Sequence, residues 1–540
     1  MRKLFLAVTA AFIGSAAAAQ TPSPPKLLVV ISVDQFSADL FDEYRPQFTR
    51  GLARLASGTV FRNGYQSHAA TETCPGHSTI LTGDHPARTG VIANVWIDQN
   101  VARSDKSVYC AEDERAPGSS SISYKVSADH LLVPTLGELM KARWPASRNV
   151  AVSGKDRAAV MMTGHRADQR WYWTGQKFDT DLAGAPLPQV VPKVNAAIAA
   201  ALAQPRPPLQ PPAVCQAKAS VIPVEGGGKP VGGGQFARAA GDAAALRASP
   251  ELDGDTLALA AGLVDEMQLG RRADPDVLAV SLSATDYVGH AYGTEGQEMC
   301  LQLLELDREI GDFLAMLDSR RIKYAVALTA DHGGKDIPER ERLAGVASAA
   351  RVDPALGAAR MGKKLIAELG LKAPGLLGES SFGDIYLDHS LSTADQKRLL
   401  TAAVAAYRAH PQVEAVFTAD QLAATPVPMG SPDQWTLIQR ARASFYHGRS
   451  GDFVVLLKKD ITPIADTTRY IATHGSPWDY DRRVPILFWR PVRVGTTVDA
   501  PADTVDIMPT LAAMIGLPLA LGSVDGHCLD GAPGVVCPSH

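Results

Sequence analysis

Leu27-Leu28-Val29-Val30-Ile31-Ser32-Val33-Asp34 opens the part of the chain that decides the fold. A short apolar, β-rich run ends on a carboxylate. The same construction returns downstream: Asn149–Ser153 is followed by Lys155 and Arg157, Val277–Ser283 by Asp286 and His290, and Tyr324–Thr329 by Asp331 and His332. Phe453–Leu457 and Val484–Trp489 are further runs of this kind. Helical patterns fill the gaps, at about 39–56, 254–268, 299–319, 393–408 and 505–515. Within 299–319, Leu303, Leu306, Ile310, Phe313 and Leu314 recur at helical spacing. Pro134-Thr135-Leu136 opens another helix, since proline suits a first turn. Strands alternating with helices predict an α/β fold, with a mostly parallel central β-sheet flanked by helices on both faces.

Ligands of open α/β sheets bind beyond the carboxyl ends of the strands. Four strands therefore deliver charged or ligating side chains to one rim. Asp286 and His290 stand four apart in Asp-Tyr-Val-Gly-His. Asp331-His332-Gly333-Gly334 places an acid beside an imidazole at a strand-to-loop turn, where glycines let the backbone fold. His474 sits in the tight loop Thr473-His474-Gly475-Ser476-Pro477. Carboxylate with imidazole suits zinc, and such donors also take other divalent ions. Taken singly, each element has an ordinary reading. An Asp-His pair is commonly a turn, Asp34 fits a helix N-cap, and Lys155 with Arg157 fits a solvated pair at a strand end. Their convergence on one rim favours a functional site.

Upstream lies Ala70-Thr71-Glu72-Thr73-Cys74-Pro75-Gly76-His77-Ser78. This segment resembles the Thr-x-Pro-x-His nucleophile turn of the type I phosphodiesterase and nucleotide pyrophosphatase group of the alkaline phosphatase superfamily. Gly83, Gly90-Val91-Ile92 and Asn94 follow at matching places, and the resemblance recurs at Asp34, Asp286, His290, Asp331, His332 and His474. It implies an alkaline phosphatase-like fold and a site for two Zn2+. Asp286, His290 and His474 would hold one ion; Asp34, Asp331 and His332 would hold the other together with Thr73. Thr73, selected by the motif over Thr71, would be the nucleophile and form a phosphothreonine. Asn94, Lys155 and Arg157 look like the Asn/Lys/Arg phosphate site of the threonine-nucleophile alkaline phosphatases. The expected substrates are small-molecule phosphate monoesters, with weak diesterase activity.

The rival readings are a nucleotide pyrophosphatase or phosphodiesterase and, from another class, a non-catalytic periplasmic binder of phosphate or metal. A sulfatase is disfavoured because Cys74 abuts Pro75 directly, and a phosphoglycerate mutase is disfavoured by an export signal. Gly226-Gly227-Gly228-Lys229-Pro230 is no P-loop: Pro230 replaces the magnesium-binding hydroxyl and no strand precedes it.

Arg2 and Lys3, the apolar Leu4–Ile13 stretch and Ala17-Ala18-Ala19 read as a secretory signal peptide over residues 1–19, cleaved near Ala19. That places the mature chain in the periplasm or outside the cell. No other segment has eighteen uninterrupted apolar residues, so stable membrane insertion is not expected. With 53 basic and 57 acidic residues the formal charge is −4, which gives no electrostatic support for nucleic-acid binding. Six cysteines in an exported chain permit disulfides. Cys528 and Cys537 are near enough to pair; the connectivity of the others is open. Residues 20–540 read as one catalytic domain with insertions at about 95–130 and 165–250. The second carries Trp171-Tyr172-Trp173, proline runs and two Gly-Gly-Gly runs, and reads as a cap over the sheet edge. Tyr109 and Glu112 carry no assignable role.

Overall fold

The computed structural model describes residues 23–372, 374–491 and 495–538; the expected signal peptide lies outside them. Ten strands form the central sheet: β1 (Leu27–Val33), β2 (Thr59–Tyr65), β3 (Asn149–Ser153), β4 (Gln169–Trp173), β5 (Phe178–Asp179), β6 (Asp276–Leu282), β7 (Tyr324–Thr329), β8 (Arg483–Trp489), β9 (Thr497–Val498) and β10 (Ala502–Asp503). Their order is β9-β2-β8-β7-β1-β6-β3-β4-β5, with β10 also on β2. The centre, β7-β1-β6-β3-β4, is parallel throughout. β8 runs antiparallel between β7 and β2, so the expectation of a mostly parallel sheet holds.

β1 is apolar at nearly every position because both of its faces are covered. Leu27, Val29, Ile31 and Val33 pack on one side among residues of helices Glu251–Glu266 and Gln297–Ser319. Leu28 and Val30 pack on the other, with Ile80, Leu81, Met162 and Leu511. Those four come from helices α1 (Thr73–Thr82), α2 (Asp156–Thr163) and the C-terminal helix Ile507–Ile515. Each such fully buried aliphatic side chain stabilises the fold by about 1.5–3 kcal/mol. The result is a rigid floor whose carboxyl edge carries the polar side chains.

Several sequence expectations are corrected. Phe453–Leu457 is a strand, but it lies outside the central sheet. It joins Leu376–Leu377, Gly383–Leu387 and Val413–Thr418 in a four-stranded antiparallel sheet. Helices Ala358–Leu369 and Thr393–Arg408 cover that sheet around a core of its own, including Leu399, Tyr407, Phe453 and Val455. Trp171-Tyr172-Trp173 belongs to β4, paired with β3 in the central sheet and buried, rather than to a cap. The 39–56 helix is broken into Ala38–Tyr44 and Gly51–Ala56, with Pro46 in the 3-10 turn between them. Pro134 precedes its helix, which Thr135 caps with a reciprocal bond to Glu138. β2 was not foreseen because Arg62, Asn63 and Gly64 interrupt its apolar pattern, at a register irregularity opposite β8.

Three disulfides close the described chain: Cys528–Cys537 as expected, Cys215–Cys300, and Cys74–Cys110. Among the described residues no helix is long and apolar enough to cross a membrane.

Candidate active site

The carboxyl ends of β1, β6, β7 and β3 converge as the sequence predicts. Asp34 leaves β1. Asp286 and His290 lie one turn apart on helix Ala284–Tyr292 after β6, a spacing that puts both on one face. Asp331 and His332 follow β7. His474 comes in from the loop before β8. The potential ligand atoms of Asp286, His290 and His474 lie within 4.8 Å of one another, as do those of Asp34, Asp331 and His332. The His332 and His474 rings stack at 3.6 Å between centroids, so the two groups adjoin.

Hydrogen bonds fix the imidazoles in one tautomer. His290 Nδ1 donates to the Ala472 carbonyl at 2.7 Å, His332 Nδ1 to Gly333 at 2.8 Å and His474 Nδ1 to Thr71 at 2.8 Å. Each carbonyl can only accept, so each Nε2 keeps its lone pair for another partner. Burial holds His290 down to about 4, outweighing the pull of Asp286, and holds His332 down to about 3 against Asp331. Both are therefore neutral, the form a metal requires.

The carboxylates supply the complementary observation. Oδ1 of Asp34, Oδ1 of Asp286 and Nε2 of His332 are buried without a hydrogen-bond partner, while Oδ2 of Asp34 meets the Lys155 ammonium and Oδ2 of Asp331 lies beside His77. Burial, then the charge of Asp331, pushes Asp34 well above the ordinary carboxylate range. Buried polar atoms are otherwise almost always satisfied. A donor set of three carboxylates and three imidazoles, with its free atoms turned inward in two groups, fits two divalent cations.

Thr73 is the first residue of α1, where the helix N-terminus favours an anion. Lys155 Nζ lies 3.4 Å and Arg157 Nη2 3.3 Å from Thr73 Oγ1. Lys155 also reaches Asp34 at 2.7 Å and Asp286 at 2.5 Å. Burial alone would lower its pKa, but Asp286 and Asp34 outweigh that and raise it, so it stays an ammonium. Thr71, the other threonine of the turn, donates its hydroxyl to Ser476 O at 2.8 Å and faces away from this task. His77 binds the turn to the rim: its Nδ1 lies 2.9 Å from Thr73 O and 3.1 Å from Asp331 Oδ2, and its Nε2 3.0 Å from Ser281 Oγ. A Cβ on Gly76 would run into the Asp331 backbone, which explains glycine in that turn.

Asn94 is held by its neighbours. Its Oδ1 accepts from the Cys74 amide at 2.8 Å, and its own amide donates to Glu72 Oε2 at 2.7 Å. With Oδ1 engaged, the side-chain NH2 is left to donate. Three supports went unassigned in the sequence. Glu72, directly before Thr73, orients Asn94. Tyr109 lies with its hydroxyl 3.4 Å from Arg157 Nη1 and 2.7 Å from Asp156 Oδ1. Glu112 is buried, accepts from the Tyr109 amide and pairs with Arg103 at 2.6 Å. The 95–130 insertion thus braces Arg157, and the Cys74–Cys110 disulfide fastens it beside Thr73.

The chain is similar to known proteins over nearly its whole length. The chain is 52% identical to alkaline phosphatase PhoK of a Sphingomonas species over 94% of its own length and 91% of that protein. It is 48% identical to alkaline phosphatase PhoD of Zymomonas mobilis, over 97% and 92%. The solved structure of alkaline phosphatase PafA superposes with a TM-score of 0.81 at 25% identity, covering 95% of this chain and 99% of that one; PafA is known from Elizabethkingia meningoseptica. Murine ectonucleotide pyrophosphatase / phosphodiesterase 5 shares the fold at a TM-score of 0.53 and 12% identity. The model of the type I phosphodiesterase / nucleotide pyrophosphatase family matches residues 28–477, and the chain belongs to that family.

Proposed function

We propose that the protein is an alkaline phosphatase that hydrolyses small phosphate monoesters through a phosphothreonine on Thr73. The observation that carries this reading is the pair of cations, Lys155 and Arg157, set 3.4 and 3.3 Å from Thr73 Oγ1. The similarity to PhoK and PhoD supports the same choice.

The substrate phosphoryl group lies over Thr73, between the Asn94 amide, Lys155 and Arg157. Thr73 Oγ gives its proton to solvent and attacks phosphorus in line with the ester oxygen. The P–O ester bond breaks and its electron pair leaves with the alcohol oxygen, which takes a proton from solvent. Water then loses a proton as it attacks the phosphothreonine from the vacated side, the P–Oγ bond breaks, Oγ takes up a proton, and phosphate departs with Thr73 restored. Throughout, Asn94, Lys155 and Arg157 can each engage a non-bridging oxygen. A diester has one of these oxygens alkylated, so one contact faces carbon; a charge-assisted hydrogen bond of this kind contributes about 1.5–3 kcal/mol. Two zinc ions, one held by Asp286, His290 and His474 and the other by Asp34, Asp331 and His332 beside Thr73, would supply the Lewis acidity that activates the entering oxygen and stabilises the leaving one.

The reading also includes export, with a signal peptide removed near Ala19 and a mature chain in the periplasm. The test compares p-nitrophenyl phosphate with bis-p-nitrophenyl phosphate at alkaline pH with zinc. A strong preference for the monoester supports the proposal. A preference for the diester moves the protein to the phosphodiesterase side of its family, and turnover by the Thr73→Ala variant at the wild-type rate rules out the nucleophile.

A further inference from the structure

The phosphoryl site opens into a cavity of about 480 Å3. Asn94, Arg157, Asp286, His290 and His474 form its inner end. The smaller antiparallel unit and the loops around it supply much of the outer wall, which is where a leaving group must lie. That wall is aromatic and acidic. Phe382, Phe445 and Tyr470 line it, and the charged side chains that the smaller unit and its flanking loop add are carboxylates, Glu379 and Asp384; Glu72 adds a third deeper in, beside Asn94.

These groups are held near the reacting centre. A Cβ on Gly475, the neighbour of His474, would touch the Phe382 ring at 3.1 Å and the Glu72 side chain at 3.6 Å. The Tyr470 ring lies against His290 at 4.7 Å between centroids. Asp384 accepts from the Gly451 amide at 2.6 Å. Burial, opposed by that bond and reinforced by the charge of Glu72, pushes Asp384 up to about 7, so it is charged at alkaline pH. Glu379 is exposed at the mouth and accepts from the Ser107 hydroxyl. Arg469 stacks over Tyr470 at 5.2 Å but does not line the cavity.

A leaving group carrying its own phosphate or carboxylate would bring a second negative charge against this wall with no cation to receive it, and like charges at close range disfavour a partner strongly. An ammonium meets the opposite: carboxylates at hand and aromatic faces that attract a cation. We infer that the site selects phosphate esters of cationic amino alcohols over esters of anionic alcohols. This rests on the monoesterase reading above and uses the same bond changes, the amino alcohol being what departs.

The test measures kcat/KM for phosphocholine and for phosphoglycolate, by phosphate release at pH 9 with zinc, in the wild type and in a Glu379→Gln, Asp384→Asn double variant. Intrinsic reactivity cancels when each substrate is compared between enzymes. The expected result is that the phosphocholine-to-phosphoglycolate ratio falls about tenfold or more in the double variant, as one or two lost charge contacts would give. Glu379→Gln alone, at an exposed position, should move the ratio the same way and carries the test if the double variant does not fold. A ratio unchanged within about twofold, against the expectation from lost charge contacts, overturns the inference while leaving the monoesterase reading intact. Failure of the wild type to turn over p-nitrophenyl phosphate overturns both.

Discussion

Replacing Arg157 by alanine isolates the contact on which the proposed monoester preference depends. Lys155 is the less informative target, because it also pairs with Asp34 and Asp286 and its loss would leave buried carboxylates uncompensated. Arg157 touches neither. Its guanidinium contacts Thr73 Oγ1 and Tyr109 OH, and its Nε is buried without a partner, as expected of a group waiting for an anion. One charged hydrogen bond to the phosphoryl group is worth about 1.5–3 kcal/mol. At about 1.36 kcal/mol per tenfold, that is a loss of roughly 10- to 150-fold in kcat/KM for p-nitrophenyl phosphate. The diester presents one fewer charged oxygen, so kcat/KM for bis-p-nitrophenyl phosphate should fall far less. Steady-state assays of both substrates on one zinc-loaded preparation give the comparison. Lysine at this position should restore part of the monoesterase rate, since it returns the charge without the planar fork. Equal losses on both substrates would refute the assignment of Arg157 to a non-bridging oxygen.

Chelation followed by metal addition should abolish and then restore turnover, with two zinc per chain by elemental analysis; full activity in a metal-free preparation would exclude the two-cation reading of the orphaned carboxylate atoms. Gly76→Ala should lower stability by about 1–3 kcal/mol, the usual cost of overpacking, since its Cβ would strike the Asp331 backbone; an unchanged urea midpoint would contradict that. His85 gives a pH dependence away from the proposed metal ligands. Burial would lower it, but Asp503 at 3.1 Å and Asp525 at 3.0 Å outweigh burial and raise it to about 10. Because this lies above the unfolded value of about 6.5, the stabilisation is complete below that pH and disappears as pH rises through about 10. Thermal melts of the wild type should therefore fall between pH 7 and 10 more steeply than those of His85→Gln, and parallel curves would remove His85 from the account.

The central strands and the gathering of charged side chains at their carboxyl edge were legible because each rests on a local signal. β1, β3, β6 and β7 are short apolar runs, and the residues beyond them are of types that have little reason to gather at one edge otherwise. The tautomers of His290, His332 and His474 were invisible, because each is set by a backbone carbonyl that only the folded chain brings near. β4 was misread because Trp171-Tyr172-Trp173 lies among polar and proline-rich sequence, and its outer neighbour β5 is only two residues long and carries no strand pattern of its own. Phe453–Leu457 shows the converse failure: five apolar residues identify a strand but not its sheet. Asp384, Phe382 and Tyr470 had no signal at all. Phe382 and Asp384 reach the cavity from a separately packed unit and Tyr470 from the loop before His474, all more than 90 residues along the chain from Asp286.

The 95–130 segment is the place where local and distant information meet. Its polar, irregular sequence reads as an insertion, and an insertion is normally free to vary. Here it is bound to the reacting centre at three points. Cys110 is joined to Cys74, the residue after Thr73. The Cys110 amide donates to Asn94 O at 2.9 Å. Tyr109 spans from Arg157 to Asp156. The Thr73 turn, Asn94 and Arg157 therefore share one covalent and hydrogen-bonded frame, although they come from three separate stretches of chain. Positioning errors near 1 Å can cost about 100-fold in rate, and a loop held only by its own turns would not keep the two side chains proposed to bind phosphate within such a tolerance. The disulfide beside Thr73 explains how an irregular insertion can serve as part of a rigid site.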